Sequence, residues 1–362
     1  MKKPTKKIAL VYDRVNKWGG AERVLLALNE IFPDAPLYTS VYSPKSASWA
    51  KVFPNVIPSF LQKIPLVKEK HEYIPFLMPL AFENLKLKDY DAVISVTSES
   101  AKGIITGKNT VHICYCLTPT RYLWSGYKSY FKNKTLKKLS QPIVSYLRNW
   151  DKMSAQKPDY MIAISTTVQN RIKKYYNRDS IIIHPPVETK NFKISNKRSK
   201  NFLIVGRLVP YKKVDLAIKA FNKLNLPLTV VGSGSEERYL KSIARENITF
   251  KNFVKEKELS EIYNSSKALI FPQIEDFGIV AVESHASGIP VIAFKKGGSL
   301  DTIIDGVNGI YFERQTVKSL LKSVKRFNSL RFDSKIIKNS AKRFDKKIFK
   351  KKITKFVERV TK

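Results

Sequence analysis

Short apolar runs with β character alternate with helical patterns along this whole chain, and that alternation confines it to parallel strands joined by helices. KIALVY precedes AERVLLALNEIF, and DAVISV, TVHICYC and DYMIAIS continue the rhythm. Near HPPVETKNFKISNKRSKN the pattern gives way to Pro, Asn and Lys for about 17 residues, long for a structureless connection inside one domain. NFLIVG, PLTVVG, ITFKNF, ALIFP and PVIAF then resume it, separated by segments such as VDLAIKAFNKL and LSEIYNSS. The expected architecture is α/β, with two Rossmann-like doubly wound domains over 1–184 and 201–342, joined by a linker at 185–200. At 362 residues the chain is long enough for two cores of ordinary size. From about Asp333 it reads as helical and basic, with Phe344, Ile348, Phe356 and Val360 near one stripe.

The window from Phe271 to Phe294, FPQIEDFGIVAVESHASGIPVIAF, carries the most specific chemistry. Glu275 falls in the loop after ALIF, Gly278 lets the backbone come close to a ligand, and Glu283 lies about one turn into the following helix. A carboxylate accepts hydrogen bonds in pairs, which suits a vicinal diol: one glutamate for a sugar ring, the other for a ribose. The amides of Phe277, Gly278 and Ile279 at the helix start suit a phosphate. The spacing therefore points to a nucleotide sugar. The plainer alternative is that Glu275 and Asp276 cap the helix.

Arg207 and Lys212, five positions apart across the turn after FLIVG, could each reach a diphosphate without a metal ion. Gly19 and Gly20, between the first strand and first helix, stand where a bare backbone can approach a phosphate or an acceptor. Gly232 and Gly234 in VVGSGSEE lack the third glycine of a dinucleotide fingerprint and read as a turn lining a nucleotide pocket. Cys114 and Cys116 share one face of a strand and read as buried thiols, since zinc needs two more ligands that no nearby segment supplies. No metal site, catalytic triad or hydrolase carboxylate pair emerges, and no cofactor is expected.

These residues stand in an order that resembles the retaining glycosyltransferases of family 4, which have the GT-B fold. The resemblance rests on the E-x7-E window with its following ASGIPVIAF and Gly297-Gly298, on GRLVPYKKVDLAIKAF from Gly206 to Phe221, and on GGAERVLLAL from Gly19 to Leu28. HICYCLTPTRYLW and IIIHPPVETKNF are most similar to a mannosyltransferase branch that builds bacterial surface polysaccharides. The likeness implies two domains facing a central cleft, with the last helix, 343–362, returned to the first domain. It implies that Arg207 and Lys212 bind the donor diphosphate, that Glu275 binds the transferred sugar and Glu283 the ribose, and that the Gly19-Gly20 loop faces the donor. Retention would proceed by front-face attack, the departing phosphate oxygen taking the acceptor's proton. Leu117 stands where the branch has a second histidine; His112 is left as the remaining catalytic candidate or as a structural residue, with Arg121 and Tyr122 as acceptor-side contacts. His285 reads as packing.

The expected donor is GDP-mannose, with a UDP-sugar as alternative, and the expected acceptor a lipid-linked or polysaccharide chain. A nucleotide-sugar epimerase would need a proton-abstracting set that cannot be placed. The charge, 66 Lys and Arg against 30 Asp and Glu, gives +36. Basic residues cluster in YKSYFKNKTLKKL and KKIFKKKITKFVERVTK among aromatic and aliphatic ones, as suits an anionic membrane surface. A merely solvated surface is the alternative. Residues 58–88, rich in proline and large apolar side chains, read either as membrane or acceptor surface or as packing on the first domain. Nucleic-acid binding lacks any accompanying motif. The opening IALVY is interrupted at Asp13 and reads as a strand, not a signal, and no run is long enough to span a bilayer. A cytoplasmic, peripheral location at the inner membrane face follows as the expectation.

Overall fold

A computed structural model describes residues 6–65, 74–127, 134–195, 199–252 and 254–362. The chain divides into two compact units, Met1–Pro185 with Phe349–Lys362, and Pro186–Ile348.

The first unit is built on a parallel sheet of seven strands: β1 (Ile8–Tyr12), β2 (Leu37–Thr39), β3 (Val56–Pro58), β4 (Ala92–Thr97), β5 (Val111–Cys116), β6 (Tyr160–Ala163) and β7 (Ile181–Ile182). Their order is β3-β2-β1-β4-β5-β6-β7. Helices cover both faces of the central strands, so IALVY and AVISVT are apolar almost throughout instead of alternating, and every residue in both is buried. Strand order reverses between β1 and β4, which pair from Ile8 with Ala92 to Tyr12 with Val96. Outside the carboxyl ends of such a pair lies the crevice where open α/β sheets bind ligands.

Residues 58–88 divide between packing and exposure. Leu61, Met78, Ala81 and Phe82 enter the core with Val11 and Val93, whereas Phe60, Phe76 and Leu80 stay exposed. Residues 66–73 of that stretch lie outside the described residues. The helix Lys346–Val360 packs on this sheet through Phe349, edge-on to Tyr115 at 5.8 Å, and Phe356, edge-on to Tyr160 at 5.5 Å. Its buried stripe is Phe349, Ile353, Phe356 and Val357. Ile348, expected on that stripe, is exposed, one position off the inward face.

The second unit carries a parallel sheet of six strands: β8 (Phe202–Val205), β9 (Leu228–Val231), β10 (Ile248–Lys251), β11 (Ala268–Phe271), β12 (Val291–Phe294) and β13 (Gly309–Phe312). The order is β10-β9-β8-β11-β12-β13, reversing between β8 and β11. Phe202, Phe221 and Phe327 pack edge to face at the centre of its core.

Two expected boundaries are corrected here. Residues 186–195 of the stretch read as a linker are part of the second unit, where Val187 and Phe192 are buried and Phe192 meets Tyr263 edge-on at 5.7 Å. Residues 343–348 also belong to the second unit, since Phe344 is buried against Phe277 and the backbone of Val187 bridges Asp345. Among the described residues no helix is long and apolar enough to cross a membrane.

Candidate active site

The second unit gathers its sequence-predicted residues at the β8/β11 switch point. Beyond β8 and β9 two backbones touch: Gly232 has φ +135°, and a Cβ there would lie 2.0 Å from the Gly206 carbonyl oxygen. Only glycine fits. Arg207 follows, exposed, with its Nη2 donating to the Tyr211 hydroxyl at 3.0 Å. Pro210 then starts a single 3₁₀ turn, Pro210–Lys212, which directs Lys212 inward; Lys213, left-handed at φ +55°, starts the helix Val214–Leu224 and is exposed. The turn thereby separates two adjacent lysines that look equivalent in sequence.

Lys212 Nζ forms an ion pair with Glu275 Oε1, its side chain 15% exposed and that of Glu275 18%. Glu275 leaves β11 by the segment Pro272–Ile274, and its carbonyl accepts from the Gly298 amide at 2.8 Å, which ties the loop to the turn after β12. Gly278, at φ +95°, caps the helix Ile279–Ala286. Phe277 anchors that helix start by burying its ring against Phe344, 5.3 Å between ring centres. The amides of 277–279 are thus placed at a helix end that is fixed from below, the environment that favours an anion.

Glu283, in the second turn of the same helix, is buried, and its Oε2 accepts from the Tyr263 hydroxyl at 3.1 Å. Tyr263 was missed in the sequence because LSEIYNSS shows only an amphipathic helix. Of the sequence candidates, the structure therefore brings together Lys212 and Glu275, with Arg207, Gly232 and Gly278 on the adjoining turns.

In the first unit the outcome is more mixed. Gly19 and Gly20 are exposed where β1 leads into the helix Gly20–Asn29, but Gly19 is extended, φ −174°, a conformation open to any residue. What it meets is Glu22: a Cβ on Gly19 would lie 3.2 Å from Glu22 Oε2. Glu22 is buried, accepts from the Tyr12 hydroxyl at 2.8 Å, and has its pKa raised by that burial. No spacing rule had singled it out. Arg121 is half-buried on the turn after β5, its carbonyl accepting from Gly126 N at 2.8 Å. At the switch point itself Asp13 is buried and accepts from the amides of Ser98, Glu99, Ser100 and Ala101 and from the Thr97 hydroxyl. Its neighbour Arg14 pairs with Glu99 at 2.6 Å.

The structure places His112, the catalytic or structural candidate of the sequence, away from the other candidates. It is the second residue of β5, towards the amino end, opposite to the edge where α/β sheets bind ligands. Its ring is buried, with Nε2 2.9 Å from the Ser95 hydroxyl oxygen, and burial lowers its pKa to about 3, with Lys157 and Arg178 adding to the effect. His285 is likewise buried, its pKa lowered to about 3 mainly by burial.

Both histidines make the fold acid-sensitive. The native state keeps them neutral while the unfolded chain takes up protons below pH 6.5. Their stabilising effect is therefore complete above pH 6.5 and lost as pH falls towards 3, by about 2 kcal/mol per histidine at pH 5. Thermal melts across pH 7.5 to 4 are expected to show this decline, with a shallower slope in His112→Asn. A flat profile from pH 7 to 5 would contradict the buried, neutral assignment.

The family model for glycosyl transferases group 1 matches residues 186–348, the whole of the second unit. Those residues are a group 1 glycosyl transferase domain. The chain is 32% identical over 154 residues to an uncharacterized glycosyltransferase of Methanocaldococcus jannaschii, covering 40% of each chain. It is 28% identical over 198 residues to the O-antigen chain mannosyltransferase RfbU of Salmonella typhimurium, 51% of this chain and 55% of that one. To a GDP-mannose-dependent alpha-mannosyltransferase of Corynebacterium glutamicum it is 32% identical over 118 residues, 32% and 28% of the two chains. The chain spans about half the length, or less, of these curated relatives.

Likeness of fold is broader. Sucrose-phosphate synthase from Thermosynechococcus elongatus superimposes with a TM-score of 0.74 at 16% identity, covering 98% of this chain and 99% of that one. HepE of Anabaena, in complex with UDP and glucose, gives 0.71 at 17% identity, covering 98% and 100%. The group 1 domain and the unit before it together have the GT-B fold.

Proposed function

We propose that the protein is a retaining hexosyltransferase that moves mannose from GDP-mannose onto a lipid-linked or polysaccharide acceptor in cell-surface glycan synthesis. The observation that carries this reading is the Lys212–Glu275 ion pair at the switch point of the group 1 domain, beside Arg207 and a glycine-capped helix start. A leaving nucleoside diphosphate gathers negative charge as the sugar's C1 becomes oxocarbenium-like. Arg207 and Lys212 neutralise the first charge, and Glu275, at carboxylate distance from the same lysine, stabilises the second and holds the sugar hydroxyls. The C1–O bond to phosphate breaks, the acceptor oxygen bonds to C1 on the same face, and the departing phosphate oxygen takes the acceptor's proton. No protein base is then required, in keeping with His112 lying inside the sheet. Glu283 holds the ribose through its carboxylate, oriented by Tyr263. No metal or other cofactor takes part in this scheme.

Mannose and GDP rest on likeness to the Salmonella and Corynebacterium enzymes. A UDP-hexose is the second reading, favoured by the UDP and glucose in the Anabaena neighbour. At the membrane, the helix Gln141–Ser154 turns Val144, Leu147, Asp151 and Ser154 inward and leaves Ile143, Tyr146 and Met153 exposed along another side, next to exposed Lys138 and Lys152. Such a face suits peripheral attachment to an anionic leaflet, at the inner side of the cell membrane. The basic run before it lies partly outside the described residues.

A panel of nucleotide sugars incubated with the protein and anionic lipid vesicles tests both parts. GDP-mannose is expected to give the fastest release of nucleotide, and the vesicles to retain the protein at low salt and free it at high salt. Faster turnover of a UDP-sugar would replace the donor; failure to bind vesicles at low salt would reduce the +36 charge to solvation.

A further inference from the structure

The first unit hides a charged group that the mechanism above does not use. Asp151, in the helix Gln141–Ser154, is 1% exposed, yet it accepts four hydrogen bonds. Lys102 Nζ pairs with its Oδ1 at 2.5 Å and the Thr120 hydroxyl donates to the same oxygen at 2.8 Å. Trp124 Nε1 donates to Oδ2 at 2.7 Å and the Tyr176 hydroxyl at 2.8 Å. Lys102, equally buried, also donates to the Glu99 carbonyl.

A buried ion pair is weak support for stability in itself, because desolvating two charges costs about what their attraction returns, and an apolar pair of similar volume often does as well. What such a group does supply is a single geometry. Two of the four donors, Thr120 and Trp124, come from the segment that leaves the carboxyl end of β5, beside the β4 edge of the switch point. Further tethers hold that segment. Arg171 Nη1 donates to the Thr118 hydroxyl at 3.0 Å, Arg148 Nε donates to the Leu123 carbonyl at 2.8 Å, and Trp124 stacks on Tyr175 with 5.1 Å between ring centres. Arg148 also covers the Tyr127 ring at 4.4 Å. Residues 118–127 are therefore pinned at five places from beneath while leaving the edge where a parallel sheet binds its ligand, and they carry Arg121 half-exposed between the anchors. Binding constellations need this kind of support, since a loop held loosely loses its productive geometry.

We infer that Asp151 is a positioning residue: through Lys102, Thr120 and Trp124 it fixes residues 118–127 as the acceptor-binding loop. This rests on the glycosyl-transfer reading and deepens it, because that reading names groups for the donor and leaves the support of the acceptor-side residue Arg121 unexplained. Asp151 touches no substrate. Its effect is on the acceptor alone.

The test uses the full chain and three variants: Trp124→Phe, which keeps the stacked ring but removes one donor; Thr120→Val, which removes another; and Lys102→Met/Asp151→Leu, which replaces the ion pair by apolar volume so that no buried charge is left unpaired. Backbone amide exchange over 118–127, GDP affinity by calorimetry, and separate KM values for donor and acceptor are read for each. Exchange over 118–127 is expected to accelerate at least about tenfold, and the acceptor KM to rise by a similar factor, with GDP affinity unchanged. Faster exchange with an unaltered acceptor KM would overturn the loop's role in acceptor binding. Unaltered exchange in all three variants would overturn Asp151 as its support, and an equal loss of GDP affinity would make the network a general structural one. If the wild-type chain binds no nucleotide and transfers no sugar, the transferase reading itself has failed, and the exchange data still report whether Asp151 orders the segment.

Discussion

Glu275→Ala is expected to lower sugar transfer by about a thousandfold, equivalent to about 4 kcal/mol of transition-state stabilisation, with the melting temperature nearly unchanged. The argument is local. Glu275 sits in a loop, and the contact that holds this loop to the turn after β12 is made by its backbone carbonyl to Gly298 N, which alanine keeps. What alanine removes is the carboxylate paired with Lys212. The lysine then loses its partner and is left for the diphosphate, so GDP affinity is expected to hold or rise slightly while kcat collapses. That split separates a role in the transferred sugar's chemistry from a role in nucleotide binding. Turnover within about tenfold of wild type, measured on folded protein with saturating donor, would remove Glu275 from the site.

Lys212→Ala and Arg207→Ala are expected to weaken GDP binding by about 10- to 100-fold each, about 1.4 to 2.8 kcal/mol, as loss of charge-assisted hydrogen bonds to phosphate oxygens does. Lys212 should have the larger effect. Its removal leaves the Glu275 carboxylate uncompensated close to the diphosphate, adding repulsion to the lost attraction, whereas Arg207 is solvent-exposed, with its Nη2 on the Tyr211 hydroxyl. Calorimetric titration with GDP measures both. Lys213→Ala serves as comparison, since that side chain is exposed at the start of the helix Val214–Leu224 and is expected to change affinity little. Unchanged affinity in both Arg207→Ala and Lys212→Ala would dissolve the diphosphate assignment.

Much of the fold was legible in the chain because its central strands are buried on both faces, which leaves apolar runs such as IALVY and ALIF that no helix period disguises. β2, β3 and β7 were not legible: they are two or three residues long, too short for a pattern, and owe their conformation to the neighbour they pair with. The glutamates of the E-x7-E window could be read from spacing, but the partner of Glu275 is 63 positions away in sequence, and only the switch point of the sheet brings Lys212 to it. For His112 the sequence left a catalytic and a structural role open, because a strand's composition does not say which end of it faces the ligand; the ring lies buried near the amino end of β5. The stripe of the last helix was misassigned at Ile348 because apolar residues stand side by side at 348 and 349, and a period of 3.6 accommodates either until the packing partner, Tyr115, is known. At Gly19-Gly20 the sequence pointed to a close backbone approach; it gave no sign of the buried carboxylate of Glu22 beside Gly19.

The first unit is assembled from two separated stretches of chain, its sheet receiving Phe349, Ile353 and Phe356 only after the whole of 186–348. The second unit, being contiguous, holds within 186–348 every residue its core needs, whereas Tyr115 of the first sheet depends for its cover on a ring that follows that whole stretch. Docking of the helix Lys346–Val360 is therefore a long-range closure, and loss of that helix would leave the Tyr115 side of the amino-terminal sheet bare.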